Sequence, residues 1–205
     1  METYKQSEVA WFFRKTDPHW KLSNMAGGMP IYWPLEIDRR ITWRSTEHLY
    51  QYAKYRPGTV CLPAAHSPGA NPRVRTRIWS QRGPRGAKMT QKATVKAGLV
   101  RPDWEGQEEV RLKAMLWVLE LKLHFNPSTF GETLRATEGR QIVEVSRKDD
   151  YWGCKPAGDG LLVGQNHLGK LLCDVRSRMS DILRGKFTYP KGFLLGLPSN
   201  HPRSF

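Results

Sequence analysis

A mixed, mainly helical fold gathered into one domain is what this sequence predicts, and three observations lead to it. The chain has 205 residues, long enough for one well-cored domain, and nothing in its composition forces a second. Its strongest periodic signal, from about Glu105 to His124, is helical, with Leu112, Leu116, Leu119 and Leu123 forming one apolar seam. Its β-signals are short and scattered: AWFF from Ala10, IYWPLEI and RRITW flanking a turn around Asp38, and the alternating QIVEVS at 141–146.

The helices follow in order. Ser45 or Thr46 is suited to cap a helix over TEHLYQYAKY, residues 46–55, with Glu47 in the first turn and Pro57 and Gly58 ending it. Residues 56–86 hold five prolines and four glycines without periodicity and are expected to form a long loop. A second helix is expected over 87–97, and Asp103 is suited to cap the apolar one after it. Pro127 opens a shorter helix to about Ala136. From Gln165 to Leu183 the pattern is helical again, with Leu168, Leu171, Leu172, Val175 and Met179 on one face and Gly185 ending it. The domain is thus expected over 1–185, with 56–86 as a basic insertion and 186–205 as an apolar, Pro- and Gly-rich tail docking on the body.

Charge narrows the function. The net charge is +14, and between Arg56 and Arg101 there are ten basic residues and no acidic one. Such a block attracts polyanions through counterion release and steering, and it equally suits a solubilising loop. Cys61, Cys154 and Cys173 are far apart and form no ligand pattern, so neither a metal site nor a disulfide framework is expected. No cofactor is expected either. The start shows no signal-peptide core, and AMLWVLELKLHF is interrupted by Glu120 and Lys122; a cytoplasmic protein with no membrane contact is the expectation.

The chemistry-bearing residues begin in the 46–55 helix. Glu47, Gln51 and Lys54 stand at i, i+4 and i+7, so one helical face carries an acid and an amine whose backbones lie roughly 10 Å apart. That stripe suits a small ligand group, or simply a solvated face. Three other segments share this double character. WKLSNM from Trp20 offers short polar groups or a plain turn. RPDWE from Arg101 offers an aromatic at a helix start, or a cap at Asp103. RKDDYWG from Arg147 sets Asp149 and Asp150 before Tyr151 and Trp152, as a site or as a solvated turn.

In order and spacing these segments resemble the NADAR family, also called YbiA-like. The family's pattern has LSN after an aromatic, then W-x-[ST]-x-E-H-x-[YF]-Q-x-x-K-[YF], R-x-[DN]-W, V-E-x-S-x-x-D-x-Y-W-G and G-x-N-x-L-G. The chain has LSNM, WRSTEHLYQYAKY, RPDW, VEVSRKDDYWG and GQNHLG, spread over about residues 12 to 180. It departs in a longer, more basic and more Pro-rich segment between Lys54 and Arg101, and in Met25 where Phe is usual.

The resemblance implies an α+β fold, a single compact and mostly helical domain with a small β-sheet, and hydrolysis of an N-glycosidic bond. On matching positions it places Glu47, Lys54 and Asp149 in catalysis, Trp152 beside them, and Asn24, Trp104, Asn166 and Arg176 around the ligand. Trp104 and Trp152 are expected to stack on base or sugar. His48 and His167, beside the motifs, are expected to be packed and hydrogen-bonded rather than catalytic. The implied partners are ADP-ribosylated nucleic acid or an ADP-ribose-like nucleotide. The alternatives are phosphoribosylamino-pyrimidine intermediates of riboflavin biosynthesis, or a non-catalytic nucleic-acid-binding module. In this scheme Lys54 is a nucleophile only if burial overcomes the nearby carboxylates, which favour its charged form.

Overall fold

A computed structural model of the chain describes residues 1–32, 42–55, 72–95, 100, 103–104 and 108–188. The strands are short and lie around a helical body. β1 (Glu2–Lys5), β7 (Leu161–Gly164) and β6 (Cys154–Pro156) form an antiparallel sheet in the order β1-β7-β6. β2 (Ala10–Phe12) runs parallel to β5 (Ile142–Glu144), with Phe12 opposite Glu144. β3 (Ile31–Tyr32) pairs antiparallel with β4 (Thr42–Trp43), joining the two halves of the expected hairpin. The turn expected around Asp38 lies outside the described residues.

α1 (Thr46–Ala53) follows β4 and packs on α2 (Pro72–Trp79) and α3 (Pro84–Val95). The long loop expected over 56–86 is therefore corrected: its second half is helical. Pro72 and Pro84 each occupy the first position of a helix, where a missing N–H costs nothing. Val74 and Ile78, at i and i+4, are both buried against the body. Prolines that read as loop signals here begin helices.

α4 (Glu108–Phe125) is the central helix. The expected one-sided seam understates its burial, because Ala114, Met115 and Trp117 to Leu123 without interruption are all buried. A helix enclosed on all sides needs an apolar surface all round, and its two interior charges are satisfied individually. Arg178 meets Glu120 at 2.8 Å, and Thr188 N–H donates to Glu120 Oε2 at 2.7 Å. Lys122 Nζ donates to the carbonyls of Lys21 and Ser23 at 2.8 and 2.9 Å. Phe187 packs against the core and His124, so the tail begins docked as far as Thr188; its remainder lies outside the described residues.

After α4 the chain makes a π-turn, Pro127–Gly131, then α5 (Glu132–Arg135). The single helix expected over 165–183 is also corrected. Asn166 adopts left-handed φ of 53°, so α6 begins at His167 and runs to Ser177, and Arg178 leaves helical geometry before α7 (Met179–Leu183). At that break the Arg178 side chain reaches both Asp174 and Glu120. No helix among the described residues is long and apolar enough to cross a membrane.

Candidate active site

α1 carries the first half of the site. Ser45 is its extended N-cap, but the Ser45 side chain does not cap a backbone N–H. It lies 2.8 Å from His48 Nδ1, while His48 Nε2 lies 3.0 Å from the Gln81 carbonyl. A carbonyl only accepts, so Nε2 carries the proton and Ser45 donates to Nδ1. His48 is thus a buried tie between α1 and the α2–α3 turn, and burial holds its pKa below the ordinary value.

Glu47 is 5 % exposed and accepts a 2.6 Å hydrogen bond from Gln51 Nε2, its i+4 neighbour. Tyr50, one turn along, is the centre of the cluster. Its ring meets Trp104 at 5.4 Å and Trp152, edge-on, at 5.7 Å. Lys54 closes the helix, with Nζ 5.2 Å from the Tyr50 ring centroid and 5.6 Å from that of Trp104. Burial pushes the Lys54 pKa down from 10.5 to about 8; Glu47 opposes this, whereas Lys88 and Arg111 add to it. The competition left open by the sequence is decided in favour of burial. Roughly one Lys54 side chain in ten is a free amine at pH 7, against about one in three thousand for an unperturbed lysine.

The second half lies after β5. Ser146 Oγ accepts from the N–H of Asp149, and Asp149 Oδ1 in turn accepts from those of Tyr151 and Trp152 at 3.1 and 2.9 Å. This is an Asx-type turn, rigid because one carboxylate oxygen is used twice. The adjacent acids separate: Asp150 pairs outward with Lys155 at 2.6 Å, whereas Asp149 acts on Tyr50, Tyr151 and Glu144. The loop is fastened to the start of α6 by backbone bonds, Gln165 to Asp150, His167 to Tyr151 and Leu168 to Trp152. Gly153 is required here, since a Cβ would stand 2.4 Å from the Glu144 carbonyl oxygen.

Other expected ligand residues are placed differently. Asn24 is buried, with Nδ2 2.9 Å from Met115 Sδ and Oδ1 without a partner among the described residues. The buried Asn166 spends Nδ2 on the Ile142 carbonyl at 2.8 Å, joining α6 to β5. Arg176 is not brought into the cluster: it donates to Thr137 Oγ1 at 2.8 Å and to the Arg140 carbonyl at 2.9 Å, holding the turn after α5. His167 is half-buried, with Nε2 3.0 Å from Gln165 Oε1 and 3.1 Å from Glu108 Oε1.

Three residues of the site fall outside the expectations from sequence. Glu144 is the polar member of β5 between buried Val143 and Val145, and burial together with Asp149 raises its pKa from 4.5 to about 7. Tyr50 is the hub, and burial raises its pKa well above 10. Arg111, on the first turns of α4, lies over the Tyr151 ring at 4.9 Å. The signal for Glu144 is present in the VEVS motif, as an acid at an inward strand position. That for Tyr50 is its spacing of four residues from Lys54. Arg111 gives no signal among the charges of its helix. Among the described residues, no group of His, Cys, Asp and Glu is placed to hold a metal ion, and Cys154 and Cys173 are free thiols.

Short strands around a buried helix, with an amine and three carboxyl groups converging on aromatic rings, define an α+β domain of the YbiA type. The solution NMR structure of YbiA from E. coli superposes with a TM-score of 0.61 at 24 % identity, covering 87 % of this chain and 88 % of that one. The chain belongs to the NADAR domain family, which matches residues 11–180. Its relatives include the chloroplastic riboflavin biosynthesis protein PYRR of Arabidopsis thaliana, 35 % identical over 103 residues, 49 % of this chain and 16 % of that protein. The Zea mays PYRR is 28 % identical over 178 residues, 86 % of this chain and 24 % of that protein. The chain thus spans a quarter or less of each plant relative. An N-glycosidase of Nostoc punctiforme is 27 % identical over 144 residues, 69 % of this chain and 77 % of that one.

Proposed function

We propose that this protein is an N-glycosidase that hydrolyses the bond between ADP-ribose and guanine in ADP-ribosylated nucleic acid. The observation that carries the glycosidase reading is Lys54: an amine lying over the Tyr50 and Trp104 rings, with its pKa brought to about 8, and sharing the influence of Glu47 and Lys88 with a carboxyl held near 7 at Glu144. Breaking a ribosyl C–N bond needs a nucleophile at the anomeric carbon and a proton for the leaving base. Lys54 Nζ adds to that carbon while the bond to the base breaks, and Glu144 supplies the base with its proton. Loss of a proton from the new amine and opening of the ring C–O bond give an imine and a sugar hydroxyl, with Glu47 carrying protons between them. Water adds to the imine, the ring sugar is released, and the amine is restored. Asp149 supports the positive charge that develops on the way.

The nucleic-acid substrate is supported by the helices next to α1. Arg77, Arg82, Arg85, Lys88 and Lys92 on and between α2 and α3 are exposed, and a cationic surface beside the site gives a phosphate backbone somewhere to lie. The second reading, a phosphoribosylamino-pyrimidine substrate, is favoured by the names of the two plant relatives. A binding module without catalysis has no use for the depressed Lys54 pKa.

The test is to incubate the pure protein with an ADP-ribosylated guanine oligonucleotide and, separately, with the phosphoribosylamino-pyrimidine. Release of ADP-ribose from the first is expected. Product from the second alone transfers the activity to the metabolite, and product from neither removes the glycosidase reading. Exposed charges replaced by Gln at Arg82, Arg85 and Lys92 are expected to flatten the salt dependence of oligonucleotide binding, by about one unit of slope for each phosphate no longer neutralised.

A further inference from the structure

Two half-buried arginines in and just after α6 are saturated. Arg176 has two backbone carbonyls and a hydroxyl, and Arg178 has the carboxylates of Asp174 and Glu120. The half-buried Arg111 differs. Its Nε is buried and donates to no acceptor among the described residues, and no carboxylate pairs with it there. A buried guanidinium N–H without an acceptor forgoes the hydrogen bond water would give it, so the unpaired Nε calls for an acceptor that the described residues do not supply.

Its surroundings say which kind. The guanidinium lies over the Tyr151 ring, a platform that fixes its orientation and leaves its edge for a planar, bidentate contact. The Tyr151 hydroxyl is buried and makes no hydrogen bond among the described residues. Burial raises its pKa most, the Arg111 charge opposes this, and the Glu108 carboxylate, 3.1 Å from His167 Nε2, raises it further by its charge and its approach to the hydroxyl. Arg111 also acts electrostatically on Lys54, as does the exposed Lys88. Arg111 and the Tyr151 phenol both act on Tyr50, the ring over which the Lys54 amine lies, and Lys88 adds positive charge acting on that amine. Glu108 stands against an anion here, but its charge is directed to the imidazole.

We infer that Arg111, positioned by the Tyr151 ring, binds the 5′-phosphate or diphosphate of the ribosyl substrate and so sets the anomeric carbon against Lys54. This rests on the glycosidase reading for its substrate and not for its chemistry: the ligand class is a phosphorylated ribose, common to both candidate substrates.

The experiment reads binding apart from turnover. Tryptophan fluorescence, with Trp104 and Trp152 as reporters, follows titration with ribose 5-phosphate and with ribose. Wild type is expected to prefer the phosphate at least about tenfold. Arg111→Gln is expected to abolish that preference while leaving ribose affinity and the thermal midpoint unchanged, and Arg111→Lys to restore part of it. In turnover, Arg111→Gln raises KM about tenfold or more with kcat within about threefold. A folded Arg111→Gln that keeps the wild-type preference, or a wild type with none, overturns the inference. Should that variant not fold, inorganic pyrophosphate is titrated into wild type: competition with ribose 5-phosphate supports the site, and its absence removes it. Phosphate preference without any glycosidase product breaks the functional reading and spares the subsite; product without an Arg111-dependent preference does the reverse.

Discussion

Two lysines lose their protons easily in this molecule, and they do opposite things. Lys122 is fully buried in α4, and burial alone lowers its pKa to about 7. Lys54 ends α1 with its pKa at about 8. By titration alone Lys122 is the better nucleophile. Its amine, however, is bound to two carbonyls and lies 4.4 Å from the Phe130 ring centroid, with no carboxyl group among the described residues acting on it and no solvent-facing side. Lys54 is only half-buried as a residue, and Glu47 and Glu144 share its cluster. A depressed pKa makes an amine available; proton carriers and access make it a catalyst.

The largest expected effect separates the two directly. Lys54→Ala is expected to lower turnover by about three orders of magnitude and to abolish any substrate adduct trapped by borohydride. Lys122→Met is expected to keep kcat within about tenfold and to retain the adduct. A Lys54→Ala protein that still forms the adduct would break the comparison outright.

Next is Glu144→Gln, expected to cost about a hundredfold in kcat/KM. Its pH profile is the sharper readout. With groups at about 7 and about 8 the wild-type profile rises and then falls at high pH. Without the acid, only the requirement for neutral Lys54 remains, so activity should rise through about pH 8 and stay level. A persistent alkaline fall in this variant assigns the proton to another group.

Gly153→Ala is expected to destabilise by about 1–3 kcal/mol, because its Cβ would meet the Glu144 carbonyl oxygen at 2.4 Å. Chemical denaturation measures it, and an unchanged midpoint rules out the tight approach of the loop to β5.

The smallest effect isolates Lys122. Its folded pKa of about 7 lies below the ordinary 10.5, so between these values the unfolded chain holds the extra proton and stability rises with pH. Lys54 contributes the same sign only from about 8 upward. Glu144, raised from 4.5 to about 7, contributes the opposite sign below that. Between about pH 7 and 8 the rise therefore belongs to Lys122 among these three, at up to about 1.4 kcal/mol per pH unit. Lys122→Met should remove it, and a wild-type stability that is flat in this window would show the amine to stay charged.

What is legible in the sequence follows the reach of local signals. The helix at 46–55, the pairing of Ile31–Tyr32 with Thr42–Trp43, and the strand containing Ile142 announce themselves by spacing and are found with shifts of a residue or two. β6 and β7 are not among the expected strands, although Asp159 and Gly160 both take positive φ at the turn between them, the backbone state an Asp-Gly pair favours. Pro72 and Pro84 mislead because a proline's effect depends on whether it stands inside a helix or opens one. In the site, Glu47 and Lys54 are legible because they share one helix. Glu144 and Arg111 become part of it through packing between β5, the loop at 149–153 and α4, which no spacing along the chain encodes. Arg176, expected at the ligand from its place on the last helix, donates to the Thr137 hydroxyl and the Arg140 carbonyl of a turn.

The tie from His48 to Gln81 has a consequence for how this protein can change. The imidazole grips a main-chain carbonyl, so the anchor between α1 and the α2–α3 turn places no demand on which charges the two helices display. Outward positions such as Arg77, Arg85 and Lys92 are therefore free to drift or be rewritten, toward longer polyanions or toward none, while the amine and its acids keep their register. The same Gln81 carbonyl also accepts from Arg44 Nη1 at 3.2 Å, so α1 and the strand end before it are held to the α2–α3 turn through an acceptor that is indifferent to sequence.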